Sequence, residues 1–547
     1  MAQVSSPSDH YFLDMLHLRV LHLQGGRAAP VASGHGLYLL ASGRRRGVAS
    51  VFPAEEVISS EVACAEEAAC RTNAKTFYPN PDTLSVSSME TKALKEASRL
   101  GASYCEIRVE ERWGDALEVK NGKLEKAVHG RERGGSVRVI AGGRWGFAST
   151  NRLDKGLLDA VETAVKLAKS SAAAPGEKVL VDEANVATGK HVWKVEKDPS
   201  GIEVEKKHEL LADMDVAIRA SPIIKSVTTS YNDGTRAVRM LTSNGAEAYS
   251  EETRTVAQAV LIARDGGNVV GYRFRIGGTQ GFEIFDKEDP VEKGKKAAEA
   301  AGRILHAPPC PAGKFPVIAD PELAGVFVHE ALGHASEGDT VAAGGSVLEG
   351  RIGQKLAPEN VSVYDDPTYR GAFGSYPFDQ EAAPALKKTV IDKGVLSTFL
   401  LDRESSQKLK MKPNGSARAE NFGSIPQARM SNTYIGQGDM EFEELIEGIK
   451  LGIYAKGTRG GQVDPAKGSF QFGAQEAFLI ENGEVTKPLR DMSLSGNILE
   501  TLKSINGVGN DLRLGDPGFC GKGGQLVPVG DGGPHIRIHM ATVGGRG

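Results

Sequence analysis

The chain has 547 residues, 40% of them hydrophobic and 25% charged, with a formal net charge of -4. That length exceeds what one hydrophobic core fills, so several domains are expected. The near-neutral balance, with no dominant basic block, excludes a large electrostatic footprint for nucleic acid.

Cys64, Cys70, Cys105, Cys310 and Cys520 scatter without a framework, which argues against a disulfide-stapled secreted protein. The apolar stretches near Leu16 to Leu23 and Val31 to Leu40 are broken by His, Arg and Gly. Neither reaches the roughly 20 residues that a membrane span needs. No positively charged segment precedes an apolar run at the start of the chain. The expectation is a cytoplasmic enzyme that binds neither membrane nor nucleic acid.

Residues 1–88 show no sustained helix or strand period and mix Ser, Pro, Gly and Ala with isolated apolar clusters. They read as an N-terminal extension, disordered or accessory, or as a start placed too early, with Met89 as the true first residue. Residues 90–100 then predict a helix stopped by Gly101. Strand alternation begins at Tyr104, and Asn121-Gly122 between alternating runs is a type I′ hairpin signal. A second hairpin turns at Gly142-Gly143. Leu157, Leu158, Val161, Val165 and Ala168 share a helix face, and residues 170–176 read as a linker.

The same grammar returns loosely: a helix near 203–220, hairpins at Asn244-Gly245 and Asp265-Gly266, and a helix over 290–305. Pro308, Pro309 and Pro311 then mark the entry to a last domain. The expected fold class is α+β: two small hairpin-plus-helix α/β domains, 89–175 and 176–307, followed by a larger β-rich domain, 308–547, whose first helix carries the candidate chemistry.

That helix is well signposted. Asp320 suits the N-cap, Pro321 the first helical position, and Glu322 the positive end of the helix dipole. His329, Glu330 and His334 follow as His-Glu-x-x-x-His, one residue longer than the His-Glu-x-x-His of zinc proteases. In a regular α-helix, residues five apart lie about 140° apart around the axis. A π-bulge would absorb the extra residue and return both imidazoles to one face, with Gly333 a suitable place for it. Glu330 would then stand beside the metal, able to take a proton from water.

A catalytic zinc with one open position needs a third protein ligand. Glu337, Asp339, Cys520, His535 and His539 are the candidates downstream. Cys520 lies in the glycine-rich GDPGFCGKGGQ, where Lys522 is expected to favour the thiolate. His535 and His539 read first as strand positions. The Gly521-Lys522 pair is no phosphate loop, since Asp516 and Gly523 occupy positions that need Gly and Ser or Thr.

At these residues the chain resembles the TldD/PmbA family of metalloproteases, on the catalytic TldD side. The resemblance covers roughly residues 89–545 and rests on HEALGH with SEGD following, YPFDQEA at 376–382, RMSNT at 429–433, GGQVDPAKGSFQFGAQEAFLIENG at 460–483 and CGKGGQ at 520–525. It implies that His329, His334 and Cys520 hold Zn2+ and that Glu330 is the catalytic acid/base. It also implies a short or unfolded peptide as substrate, and pairing with a related TldE/PmbA-type subunit or with itself. Residues 1–88 have no counterpart in the family. Arg429, His535 and Tyr376 are candidates for stabilising the oxyanion. Two other readings compete: a zinc-stabilised partner subunit or scaffold without turnover, and a cysteine hydrolase using Cys520 and a histidine.

Overall fold

A computed structural model describes residues 88–547, apart from 173–175, 177, 181–184 and 545–547. The expected extension, all but Ser88, and part of the 170–176 linker therefore lie outside the described residues.

Turn chemistry sets the first layer. Helix α1 (Ser88–Arg99) ends just before Gly101, whose φ of 86° is open to glycine at no steric cost. Strands β1 (Tyr104–Lys120) and β2 (Lys123–Ala141) meet at Asn121 and Gly122, with φ of 51° and 80°. Positive φ at both positions is what a two-residue I′ hairpin demands. β3 (Arg144–Thr150) follows, and α2 (Lys155–Ser171) buries Leu157, Val161, Val165 and Ala168 against this sheet. The next segment adds β4 (Thr188–Val192), α3 (Val204–Arg219), β5 (Ile224–Thr242), β6 (Glu247–Asp265), β7 (Asn268–Gly278) and α4 (Pro290–Leu305).

The two hairpin-and-helix segments share one sheet. β1 pairs antiparallel with β5, from Glu106 opposite Thr242 to Lys120 opposite Thr228. Among the described residues this makes seven strands in the order β3-β2-β1-β5-β6, with β4 and β7 both on β6. Strand alternation sends Ile107 and Val109 to the helix-covered face. It sends Arg108, Glu110, Arg112, Arg236 and Arg254 to the other face, which is also largely buried, because loops of the last domain cover it. Arg108 Nη2 donates to the Asn421 and Ser424 carbonyls at 2.8 Å each, and Arg254 Nε donates to Phe373 O at 2.8 Å.

The last domain holds two sheets that position the candidate site. β8 (Gly313–Ala319) lies between β11 (Leu451–Lys456), parallel to it, and the antiparallel β14 (Ile536–Gly544). The other sheet runs through β9 (Val363–Asp365), β10 (Asn432–Ile435), β13 (Gln525–Gly533) and β12 (Arg513–Lys522). β8 feeds directly into α5 (Pro321–Val328), which lies against β13. Helix and strand approach so closely that a Cβ at Gly325 would stand 2.4 Å from Gly532 N. Phe327 fills the other side of the helix, edge-on to Phe470 at 5.5 Å between ring centroids.

Candidate metal centre

Asp320 caps α5 as its sequence predicts, accepting the Leu323 N–H at 2.9 Å, and it also accepts the Gly457 N–H at 3.0 Å. The cap thus fixes the helix to the end of β11. α5 delivers His329 at its C-terminal end, where the next turn widens into a π-helix over His329–Gly333. His334 N–H bonds to His329 O, five residues back. The extra residue of the motif is absorbed there, and the two imidazoles stand perpendicular with centroids 5.3 Å apart. Gly333 serves this turn by closeness rather than by unusual backbone: its φ is -56°, but a Cβ would meet Met430 Sδ at 1.9 Å.

Cys520 arrives from β12, opposite Val527 of β13. Its Sγ lies 3.3 Å from His334 Nε2, and one donor atom from each of His329, His334 and Cys520 falls within 4.8 Å of the others. Donor atoms around a tetrahedral zinc stand about 3.5 Å apart, so the cluster is close to that spacing. Glu330 projects beside it, with Oε2 3.8 Å from His334 Nε2.

The surroundings orient these groups. Glu337, three residues after His334, places Oε2 3.2 Å from His334 Nδ1, which leaves Nε2 turned towards Cys520. Lys522 Nζ stands 3.1 Å from Glu337 and 2.6 Å from Asp339. Arg429, fully buried, donates from Nη2 to Cys520 O at 2.5 Å and sets Nε 3.4 Å from Glu337 Oε1. Burial alone would raise the Glu337 carboxyl, but His334 and Lys522 outweigh it and hold it at about 2. Burial would likewise raise the Cys520 thiol, and the two imidazoles drive it well below its usual value instead. The thiolate is therefore favoured first by His334 and His329. Glu330 is raised, first by burial, with both imidazoles opposing.

The remaining candidates are committed elsewhere. Asp339 bonds Lys522, and His539 is an exposed strand residue. His535 lies between Asp511 (2.6 Å from Nδ1) and Tyr454 Oη (2.8 Å from Nε2). Tyr376 Oη donates to Gly415 O at 2.8 Å, and Arg429 grips the Cys520 backbone. Tyr376 and His535 thus have their side-chain polar atoms engaged, while the buried Arg429 Nε has no hydrogen-bond partner. The role of Glu337 was readable from its spacing, since residues three apart share a helix face. Met430, distant in sequence, had no such signal.

His329 and Glu330 open onto a cleft of about 740 Å³, walled on one side by β7 and α4 and on the other by α5, β12 and β13. It is large enough for several residues of an extended peptide.

Comparison with known proteins agrees along almost the whole described length. The PmbA/TldA metallopeptidase domain 1 matches residues 105–168, the central domain 197–305 and the C-terminal domain 312–545. A protein of Methanothermobacter thermautotrophicus named metalloprotease is 44% identical over 442 residues, covering 81% of this chain and 95% of its own. A zinc metalloprotease TldD homolog of Saccharolobus solfataricus is 31% identical, covering 83% of this chain and 99% of its own. The crystal structure of TldE from Thermococcus kodakarensis shares the fold, with a TM-score of 0.67 at 20% identity, over 84% of this chain and 100% of that one. With a mixed α+β fold, three matching domains and relatives named metalloproteases, this chain belongs to the PmbA/TldA metallopeptidase family.

Proposed function

We propose that this protein is a zinc metallopeptidase that hydrolyses peptide bonds in short or unfolded peptides, with His329, His334 and Cys520 as metal ligands and Glu330 as acid/base. The observation that carries the reading is the cluster itself: two imidazoles and a thiol within 4.8 Å, with a carboxylate beside them. The donor set fits zinc. Two nitrogens and a sulfur suit a borderline-soft ion rather than magnesium or calcium, and the buried His329 Nδ1 has no hydrogen-bond partner of its own.

Zinc held there would acidify a water and polarise the scissile carbonyl. The chain's own groups do the rest. Glu330 accepts the water proton on a carboxylate oxygen and returns it to the leaving amine nitrogen. Glu337 keeps His334 in the tautomer that presents Nε2, as carboxylate partners of metal-bound histidines do. The cleft walls hold the peptide and keep bulk water from the reacting bond.

The same reading takes 89–175, 176–307 and 308–547 as the domains, a cytoplasmic location, and pairing with a TldE/PmbA-type subunit or a second copy. The fold shared with TldE supports the pairing. A scaffold without turnover has no use for a carboxylate at Glu330, which argues for catalysis. The test is hydrolysis of an unstructured peptide by the purified chain, alone and with a TldE-type partner, before and after chelation. Activity lost to the chelator and restored by zinc supports the reading. Activity indifferent to chelation overturns it in favour of a cysteine hydrolase.

A further inference from the structure

The cleft has a second chemical feature, away from Glu330. Lys456, the last residue of β11, and Arg513, the first of β12, both line it. Neither has a carboxylate in salt-bridge range among the described residues. Several acids near them already accept hydrogen bonds or pair with another cation. Asp511 places both oxygens on His535, at 3.0 Å from the backbone N and 2.6 Å from Nδ1. Asp320 accepts the Leu323 and Gly457 N–H groups, Glu322 accepts the Thr458 N–H at 3.1 Å, and Glu476 pairs with Arg303 at 3.0 Å.

The two cations also converge. Lys456 Nζ lies 5.9 Å from the centre of the Tyr454 ring, whose Oη meets His535 Nε2 at 2.8 Å. Arg513 pairs with Gly533, two residues before His535, and burial, helped by both cations, depresses that imidazole. Both charges therefore act on one imidazole. A cleft wall that carries two cations with no carboxylate in salt-bridge range attracts an anion.

We propose that Lys456 and Arg513 form a subsite for a carboxylate of the peptide substrate. This deepens the peptidase reading and rests on it. The distance follows from the helix. Lys456 adjoins Ala455, whose carbonyl accepts the Asp320 N–H at 3.0 Å, so it stands at the start of α5, while His329 stands at the end. Nine residues of helix rise about 13 Å, which an extended peptide covers in about four residues. The carboxylate belongs to an acidic side chain about four positions from the cleaved bond, or to a C-terminus at that distance.

The test uses the zinc-loaded full chain and an alanine–glycine peptide series. One residue at a time is Asp or Asn, and each peptide carries a free or an amidated C-terminus. At one distance from the cleaved bond, replacing carboxylate by carboxamide is expected to lower kcat/KM about five- to tenfold, mainly through KM. Arg513→Gln and Lys456→Gln are each expected to bring that ratio close to one. Arg513→Glu is expected to invert it in favour of Lys at the same position. An effect of Asp alone assigns an internal acid, and an effect of the free terminus alone assigns a C-terminal carboxylate. Equal handling of every pair by the wild-type chain overturns the subsite, as does a preference that survives both Gln variants. If no peptide is hydrolysed, the peptidase reading falls. The subsite is then judged by fluorescence anisotropy of the same labelled peptides, and equal binding of Asp and Asn forms overturns it.

Discussion

Glu337 Oε2 stands 3.2 Å from His334 Nδ1, and through Arg429 the same carboxylate is joined to the backbone of Cys520. One buried acid thus links the helix that carries two of the clustered donors to the strand that carries the third. Neither element could shift without breaking a charged contact. The donor residues are thus braced by charged contacts within the chain itself.

Removing that link is expected to weaken metal binding while sparing the fold. Glu337→Gln keeps the shape but loses the negative charge that aligns His334, Lys522 and Arg429. Loss of such an outer partner costs about 10- to 100-fold in metal affinity. Competition against a zinc-chelating dye measures it, with circular dichroism recorded on the same sample. Wild-type affinity in the folded variant would show that Glu337 orients nothing.

The π-turn makes a separate prediction. A methyl at position 333 collides with Met430 Sδ, which is itself fully buried and has little room to retreat. Overpacking of this kind costs about 1–3 kcal/mol, so Gly333→Ala should unfold at lower denaturant. Met430→Ala in the same chain opens space and should recover part of the loss. A double-mutant cycle gives the coupling, and strict additivity of the two changes would refute the contact.

Much of this was legible in the sequence, for physical reasons that differ between elements. Asn121-Gly122 and Gly142-Gly143 announce their hairpins because few other residues accept positive φ there. Asp320-Pro321 announces the helix, and the spacing of His329 and His334 requires the π-turn once both are to face one point. What could not be read was long-range. Alternation in β1 predicts one solvated face, yet Arg108 and Glu110 are buried because loops over 300 residues away in sequence close over them. The joining of β1 to β5 in one sheet leaves no local mark in either strand. The contacts of Lys522 with Glu337 and Asp339 likewise join residues over 180 positions apart, with no local mark.

The buried ladder on that sheet sets a pH response. Burial would raise Glu110, but Arg112, Arg236 and Arg108 outweigh it and hold it at about 2, down from its ordinary 4.5. A depressed carboxylate stabilises the fold above its unfolded pKa, and that contribution disappears as pH falls through the folded value. The loss should therefore run between about pH 4.5 and pH 2, with an amplitude of roughly 3 kcal/mol. Glu110→Gln should be less stable at pH 7, because it leaves buried guanidinium groups without their counter-ion. Its stability should also fall less steeply through the acid window. Urea unfolding at a series of pH values checks both, and parallel curves for the two proteins would contradict the assignment.

Glu330 separates a catalyst from a scaffold. It follows His329 directly and projects beside the donor cluster, with Oε2 3.8 Å from His334 Nε2. From there its carboxylate can reach a water held among His329, His334 and Cys520 without being a ligand itself. Glu330→Gln keeps nearly the same volume and a hydrogen-bonding end but cannot accept a proton. The variant is therefore expected to retain zinc and thermal stability while losing most peptide hydrolysis. Removing a general base costs about 10²–10⁴-fold in rate, far outside assay error. Zinc content, melting temperature and turnover are measured on one preparation, so that an inactive sample that has merely lost its metal is recognised. Near-normal turnover in a zinc-loaded Gln variant would remove Glu330 from the mechanism. Loss of zinc together with activity would make it a ligand, and the proton would then have to be taken by another group.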